Sequence, residues 1–337
     1  MDVFEWIEKE LKPKACNSEE FMYDEMDSQS GCCLPIIYQP FDTSKKSHWR
    51  DRGSLFDFLF STDGTGKRLL DFGPGDGWPS LIVAPFVDEV VGVDGSQHRV
   101  DVCAENANRL GISNARFLCV EPGNPLPFEE NSFDGIMAAS SVEQTPDPKE
   151  ALKELYRVLK PGGRIRMNYE ALSMYKGGKE RECYFDKIYE GTCSLTIYDR
   201  HIDEEYAVMY KVIFSESCKE IFPEFIISSG NLKDITFNTI TIPILEKLKP
   251  VISAARICTL THPSGKTLFK WLKDIGFSEI HPTHSGSWFA GRLFENVSKE
   301  TRPKKLKELD ELLQPVVKIV VQMPAPIESN PMMTAIR

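Results

Sequence analysis

Three glycines at alternate positions, Gly73, Gly75 and Gly77, follow the apolar run Leu69-Leu70-Asp71-Phe72 and precede Trp78-Pro79. Glycine permits tight turns and close backbone approach, and a helix that follows such a loop offers unpaired N–H groups to a ligand. Carboxylates stand on either side: Asp71 inside the run before the loop, and Asp94 at the end of the next apolar run, Glu89-Val90-Val91-Gly92-Val93-Asp94. A dinucleotide-binding loop requires G-x-G-x-x-G, whereas here the third glycine is Gly77 and position 78 is Trp. No Gly-Lys-Ser/Thr follows, so a Walker loop is excluded. The nine cysteines form no CxxC pair, and no His, Cys and carboxylate residues stand at metal-ligand spacing, so no metal site is expected.

The elements that must position these residues alternate along the chain. Arg68 to Phe72 and Glu89 to Asp94 read as buried strands, with a short helix between Trp78 and Phe86 limited by Pro79 and Pro85. After Gly95, Ser96 is a plausible cap for a helix that carries Val100, Cys103, Ala104, Ala107 and Leu110 on one face and ends at Gly111. Further strands are expected at Arg116 to Val120, Phe133 to Ala139 and Arg164 to Asn168, with a helix over Lys149 to Leu159. Strands alternating with helices predict an α/β fold, a parallel sheet covered on both faces. Residues 169 to about 261 break the rhythm: Cys193 to Tyr198 and Tyr206 to Phe214 predict an antiparallel or mixed β insert. Helices from Ser264 and over Lys304 to Leu313, and strands at Ser278 to Pro282 and Met332 to Arg337, then resume the α/β pattern.

The glycine loop with Asp71 and Asp94 resembles the class I S-adenosylmethionine-dependent methyltransferases, with a core of the methyltransferase type 11 kind. The likeness continues through Leu126-Pro127-Phe128, Asn131-Ser132-Phe133-Asp134, Asp147-Pro148 and the series Glu154 to Gly163, similar in order and spacing to "LPF…NSFD…DP…E-RVLKPGG". It covers about 195 of the 337 residues. It implies a Rossmann-like, mostly parallel seven-stranded sheet flanked by helices, with a β-rich cap inserted. The division it implies is an N-terminal lid segment (1–49), a cofactor-binding core (50–168), an inserted cap (169–261) and a completion of the core (262–337).

S-adenosyl-L-methionine is the cofactor that the resemblance implies, with Gly73, Gly75 and Gly77 under its methionine part and Asp71 near its amino group. Asp94 would accept from the two ribose hydroxyls, and Gly95, Ser96 and Ser140 would lie close by. Where many relatives have Gly-Asp-Ala, this chain has Glu121-Pro122-Gly123-Asn124-Pro125, so Glu121 or Asn124 takes the adenine amino contact, or Phe72, Gln97 and Val120 define that pocket instead. A base is needed only where the acceptor must lose a proton. The candidates are Glu143, Tyr169, His201, His262 and His284, with His262 preferred because Thr261-His262-Pro263 stands just before the chain re-enters the core. Tyr23, Tyr38 and Trp49, upstream of the core, are expected to contact the acceptor.

Composition narrows the partners. With 50 acidic against 40 basic residues the formal charge is -10, which disfavours a dedicated nucleic-acid binder. No apolar run reaches the length of a membrane span, the first residues do not read as a signal peptide, and an odd set of cysteines fits a reduced, cytoplasmic chain. The expected function is methyl transfer to a small-molecule acceptor by a monomer or homodimer. A protein or peptide methyltransferase, or a methyltransferase-like binding protein without turnover, are the alternatives.

Overall fold

The computed structural model describes residues 1–16, 21, 41–189, 192–215 and 236–337. Tyr23, Tyr38, Cys32 and Cys33 lie outside them. The strands, in chain order, are β1 (Lys14–Ala15), β2 (Arg68–Phe72), β3 (Glu89–Asp94), β4 (Ala115–Cys119), β5 (Phe133–Ala139) and β6 (Leu159–Asn168). They continue as β7 (Arg181–Tyr189), β8 (Thr192–His201), β9 (Tyr206–Ser215), β10 (Ile252–Thr261), β11 (Ser278–Thr283) and β12 (Met332–Ile336). Two compact units result: Met1–Ser30 with Leu172–Pro263, and Gly31–Ala171 with Ser264–Arg337. The first thirty residues thus group with the insert, where the sequence reading set residues 1–49 apart as a lid.

The second unit is built on a seven-stranded sheet in the order β11-β12-β6-β5-β2-β3-β4. Strands β2 to β6 run parallel, and β12 is antiparallel to both of its neighbours. This is the mostly parallel, Rossmann-like seven-stranded sheet expected from the sequence. Alternate residues of each strand serve opposite faces. Leu70, Val91, Ile136 and Ile165 pack with Leu152, Leu155, Leu268 and Leu272 of the helices Pro148–Val158 and Gly265–Ile275. Leu69, Val90 and Met137 pack with Leu55, Phe56, Leu309 and Leu313 of the helices Lys46–Ser61 and Leu306–Val320. The order reverses after β4, which leaves a crevice at the carboxyl ends of β2 and β5, where open α/β sheets bind ligands.

Local signals explain most boundaries. The Ser96 hydroxyl accepts from the Arg99 N–H to start the helix Gln97–Leu110, and Gly111 ends it with φ 67°. Asp147 caps the helix Pro148–Val158 through the N–H groups of Lys149 and Glu150. The last long helix extends past the expected Leu313 to Val320 with Pro315 inside it, because Val317 and Val320 continue its buried face. On the same face of the sheet, the helices Lys46–Ser61 and Gly286–Asn296 meet backbone to backbone. A Cβ on Gly53 would stand 2.5 Å from the Gly286 carbonyl oxygen.

The first unit holds a five-stranded sheet, β1-β10-β9-β8-β7, antiparallel except where β1 runs parallel to β10 through Lys14↔Arg256 and Ala15↔Ile257. Its β8–β9 hairpin is the antiparallel insert expected, while β10 was not foreseen. Phe4, Trp6 and Ile7 from the first turn pack with Leu195, Ile197, Val212 and Phe214 and with Leu245 and Leu248 of the helix Ile242–Leu248, so this unit has its own core. Among the described residues no helix is long and apolar enough to cross a membrane.

Candidate functional site

The glycine loop sits at the carboxyl end of β2 in a conformation that other residues rarely adopt. Gly73, Gly75 and Gly77 have φ of 77°, 59° and 109°. A Cβ on Gly73 would meet the Ser141 Cβ at 2.4 Å, and one on Gly77 would meet Leu81, whereas one on Gly75 would meet nothing within 4 Å. The Gly73 N–H donates to the Val93 carbonyl at 2.8 Å, tying the loop to β3.

Asp94 ends β3 with 4% exposure, accepting the Gly75 N–H at 3.2 Å on Oδ2 and the Ser96 N–H at 3.0 Å on Oδ1. Gly95 follows, its carbonyl accepting from the Cys119 thiol. Asp71 is fully buried: its Oδ2 accepts both the N–H (2.9 Å) and the hydroxyl (2.6 Å) of Ser80, while Oδ1 has no protein partner. Burial, offset by the Ser80 bonds and reinforced by Asp94, pushes its carboxyl up to about 7.

At the end of β5, Ser140 has φ 54°, a strained conformation for a residue with a Cβ. It is held by its N–H on the Asn168 carbonyl (2.8 Å), by the Asn168 amide on its hydroxyl (3.2 Å) and by the Gln144 amide on its carbonyl (2.6 Å). Glu143, in the turn that follows, is 2% exposed; Oε1 accepts the Glu170 N–H at 2.8 Å and Oε2 has no protein partner. Burial pushes this carboxyl up to about 7. Tyr169 is equally buried with an unpartnered hydroxyl, and burial, with Glu143 adding to it, raises its phenol.

The other expected residues fall elsewhere. Trp49 is a correction: it is fully buried in the apolar core against Phe294, its indole N–H donates to the Thr43 carbonyl, and no face is left for an acceptor. Glu121 is exposed in a turn, held by the Asn124 amide at 3.3 Å. His262 belongs to the first unit, where its N–H donates to the Glu205 carbonyl; burial, with Arg200 adding to it, lowers its imidazole to about 4. A base so weak takes no proton at neutral pH. His201, also in the first unit, stacks on Tyr206 at 4.3 Å. Sequence reasoning missed a cavity of about 330 Å³ in the second unit, lined by Asp51, Ser54, Phe58, Trp78, Asn168 and Trp288 among others. Asp51 and Ser54 were detectable only as polar residues within an apolar helical run. Among the described residues no three His, Cys, Asp or Glu side chains gather as a metal site.

Comparison with known proteins decides the family. A family model for a methyltransferase domain matches residues 70–167, from the middle of β2 to the end of β6. These residues are a class I methyltransferase domain. The family takes its methyl group from S-adenosylmethionine. The methyltransferase domain is similar to the uncharacterized methyltransferase YcgJ of Bacillus subtilis, 37% identical over 98 residues, 29% of this chain and 38% of that protein. It is similar as well to the demethylmenaquinone methyltransferase of Lactococcus lactis, 36% identical over 136 residues, 37% of this chain and 51% of the relative. The matches thus span about half or less of these curated relatives. The crystal structure of YcgJ superposes on 34% of this chain and 49% of its own, with 33% identity and a TM-score of 0.33.

Proposed function

We propose that the chain transfers a methyl group from S-adenosylmethionine to a small-molecule acceptor. The observation that carries this reading is the loop Gly73–Gly77, with three left-handed glycines and the Asp94 carboxylate at the end of the neighbouring strand. The fit to the cofactor is tested by Gly75, whose missing Cβ would point into open space. In this reading Gly73, Gly75 and Gly77 present backbone to the methionine part, Asp94 takes the ribose hydroxyls, and Gly95, Ser96 and Ser140 line the same crevice. Asp71 acts by pinning Ser80 and so fixing the turn after the loop. Glu121 or Asn124 is kept as the candidate for the adenine contact.

When bound, S-adenosylmethionine supplies a methyl group already activated on sulfonium. The chain's task is then to align an acceptor and exclude water. Glu143, kept largely protonated below about pH 7 by burial, is a candidate for donating a hydrogen bond that orients the acceptor, with the Tyr169 hydroxyl beside it. Residues 50–168 and 262–337 are assigned to the methyltransferase core that holds the cofactor. A small-molecule acceptor agrees with the demethylmenaquinone relative, whose name states such a substrate.

Calorimetry with S-adenosylhomocysteine tests the reading. Gly75→Arg fills the open space and Asp94→Ala removes the hydroxyl acceptor; each should weaken binding at least tenfold, and unaltered binding in both would overturn the assignment. Incubation with a labelled methyl donor and a cell extract, followed by separation of metabolites from protein, tests the acceptor class: label in protein alone rejects a small molecule.

A further inference from the structure

The cavity of about 330 Å³ lies between the helix Lys46–Ser61, Trp78 just after the glycine loop, Asn168 at the end of β6, and the start of the helix Gly286–Asn296. Its volume suits a compact organic molecule. Two lining side chains each carry a buried polar atom without a protein partner: the Oδ2 of Asp51, an acceptor, and the Nε1–H of Trp78, a donor. Leaving such an atom unpaired costs about 1–3 kcal/mol, and native proteins hold few of them. Two in one cavity, of opposite hydrogen-bonding sense, point to a ligand that completes both.

The charges specify that ligand further. Asp57 also lines the cavity, but its carboxylate is committed: Oδ1 to the Arg166 guanidinium at 2.7 Å, Oδ2 to the Gly286 N–H at 2.6 Å. Among the described residues Asp51 makes no ion pair. Arg50 also lines the cavity but is exposed, and its charge only partly offsets burial, which pushes the Asp51 carboxyl up to about 6, so it is mostly ionised at neutral pH. A half-buried carboxylate of this kind is stabilised most by a cation that also donates a hydrogen bond. The walls beside it are aromatic: Phe58 and Trp78 meet edge to face at 5.8 Å, and Trp288 is 53% exposed at the rim. Aromatic faces attract organic cations.

We propose that this cavity is the acceptor pocket and that it selects a small organic amine, seated as its ammonium on Asp51 between the rings of Phe58, Trp78 and Trp288. The carboxylate that seats the ammonium is also the base that takes one of its protons onto Oδ2, leaving the nitrogen lone pair free. The inference rests on the methyltransferase reading for the fate of the amine, but the binding is measurable without turnover.

The test is calorimetric titration of the full-length chain with phenethylamine and with its neutral counterpart 2-phenylethanol, with and without saturating S-adenosylhomocysteine. The wild type should bind the amine at least tenfold more tightly than the alcohol, in the presence of S-adenosylhomocysteine as well as without it. Asp51→Asn should abolish that preference while retaining S-adenosylhomocysteine binding, and Asp51→Glu should keep part of the preference. Equal affinity for the two probes, binding of neither, or an undiminished preference in Asp51→Asn overturns the proposal. Mutual exclusion between the amine and S-adenosylhomocysteine overturns it too, by assigning the cavity to the cofactor. Should Asp51→Asn fail to fold, the wild-type comparison of amine with alcohol still decides. A wild type that prefers the amine but binds no S-adenosylhomocysteine would instead sink the methyltransferase reading and leave the amine site standing.

Discussion

The Glu143 carboxyl is held out of water with one oxygen on the Glu170 N–H and the other unpaired, and burial lifts it from the ordinary 4.5 to about 7. A carboxyl raised on folding binds its proton more tightly in the native state than in the unfolded chain. Its contribution to stability is therefore full below about pH 4.5 and is lost as the pH rises through about 7. Urea unfolding of wild type and Glu143→Gln across this range should give a stability difference that shifts toward the variant with rising pH. A difference that stays constant would contradict the buried, unpaired state of this side chain. Residues differ in how readily the sequence shows them. Gly73, Gly75 and Gly77 were legible because a left-handed backbone at a strand end leaves few alternatives to glycine, and Asp94 because a strand end fixes its place. Asp51 was not, since its isolation depends on four segments distant in sequence closing around it.

At the scale of elements, the outer face of the large sheet depends on two close fits. Gly53 and Gly286 let their helices touch, and Gly53→Ala would press a methyl group to 2.5 Å from a carbonyl oxygen. Overpacking of this kind costs about 1–3 kcal/mol, partly offset by the better helix propensity of alanine, so thermal unfolding should move several degrees lower. A substitution that leaves the transition unchanged would show that the helices can separate freely. Beneath them, Arg166 and Asp57 form a buried ion pair, the guanidinium also donating to Thr283 (2.5 Å), Thr334 (2.9 Å) and the His284 carbonyl (3.2 Å). Asp57→Ala strands that charge and the Gly286 N–H and should cost about 3–5 kcal/mol by denaturant titration. Most elements of this unit were readable from caps and apolar periodicity. In the first unit the strand Ile252–Thr261 was not, because only Cys258 and Leu260 of it are buried and the alternation is weak, and in the second the helix through Pro315 overran a residue that ordinarily stops one.

For the whole molecule, each unit owns a hydrophobic core, and the second contains both the glycine loop and the amine cavity. The chain leaves that unit after Ala171 and re-enters it at Ser264, and a Cβ on Gly265 would lie 2.6 Å from the Tyr169 hydroxyl, so the two crossing points are close. Replacing residues 172–263 by a short flexible linker and omitting residues 1–30 should therefore leave a folded chain that binds S-adenosylhomocysteine within about tenfold of the full protein, read by calorimetry. Loss of cooperative unfolding in that chain would show that the second core is not self-sufficient. The sequence marked residues 169–261 as foreign to the core through their change of rhythm. It concealed the partnership of the first residues with that insert, since pairing across such a span leaves no local pattern.

That partnership bears on synthesis. Lys14 emerges from the ribosome well before its pairing partner Arg256, more than two hundred residues later. Strand β1 must wait, unpaired, while most of the methyltransferase sheet is made, and β11 and β12 must then complete that sheet after the intervening unit has closed. Neither unit can finish folding before the other has begun, so slowing translation between residues 172 and 263 should change the yield of native protein more than slowing it within residues 1–13.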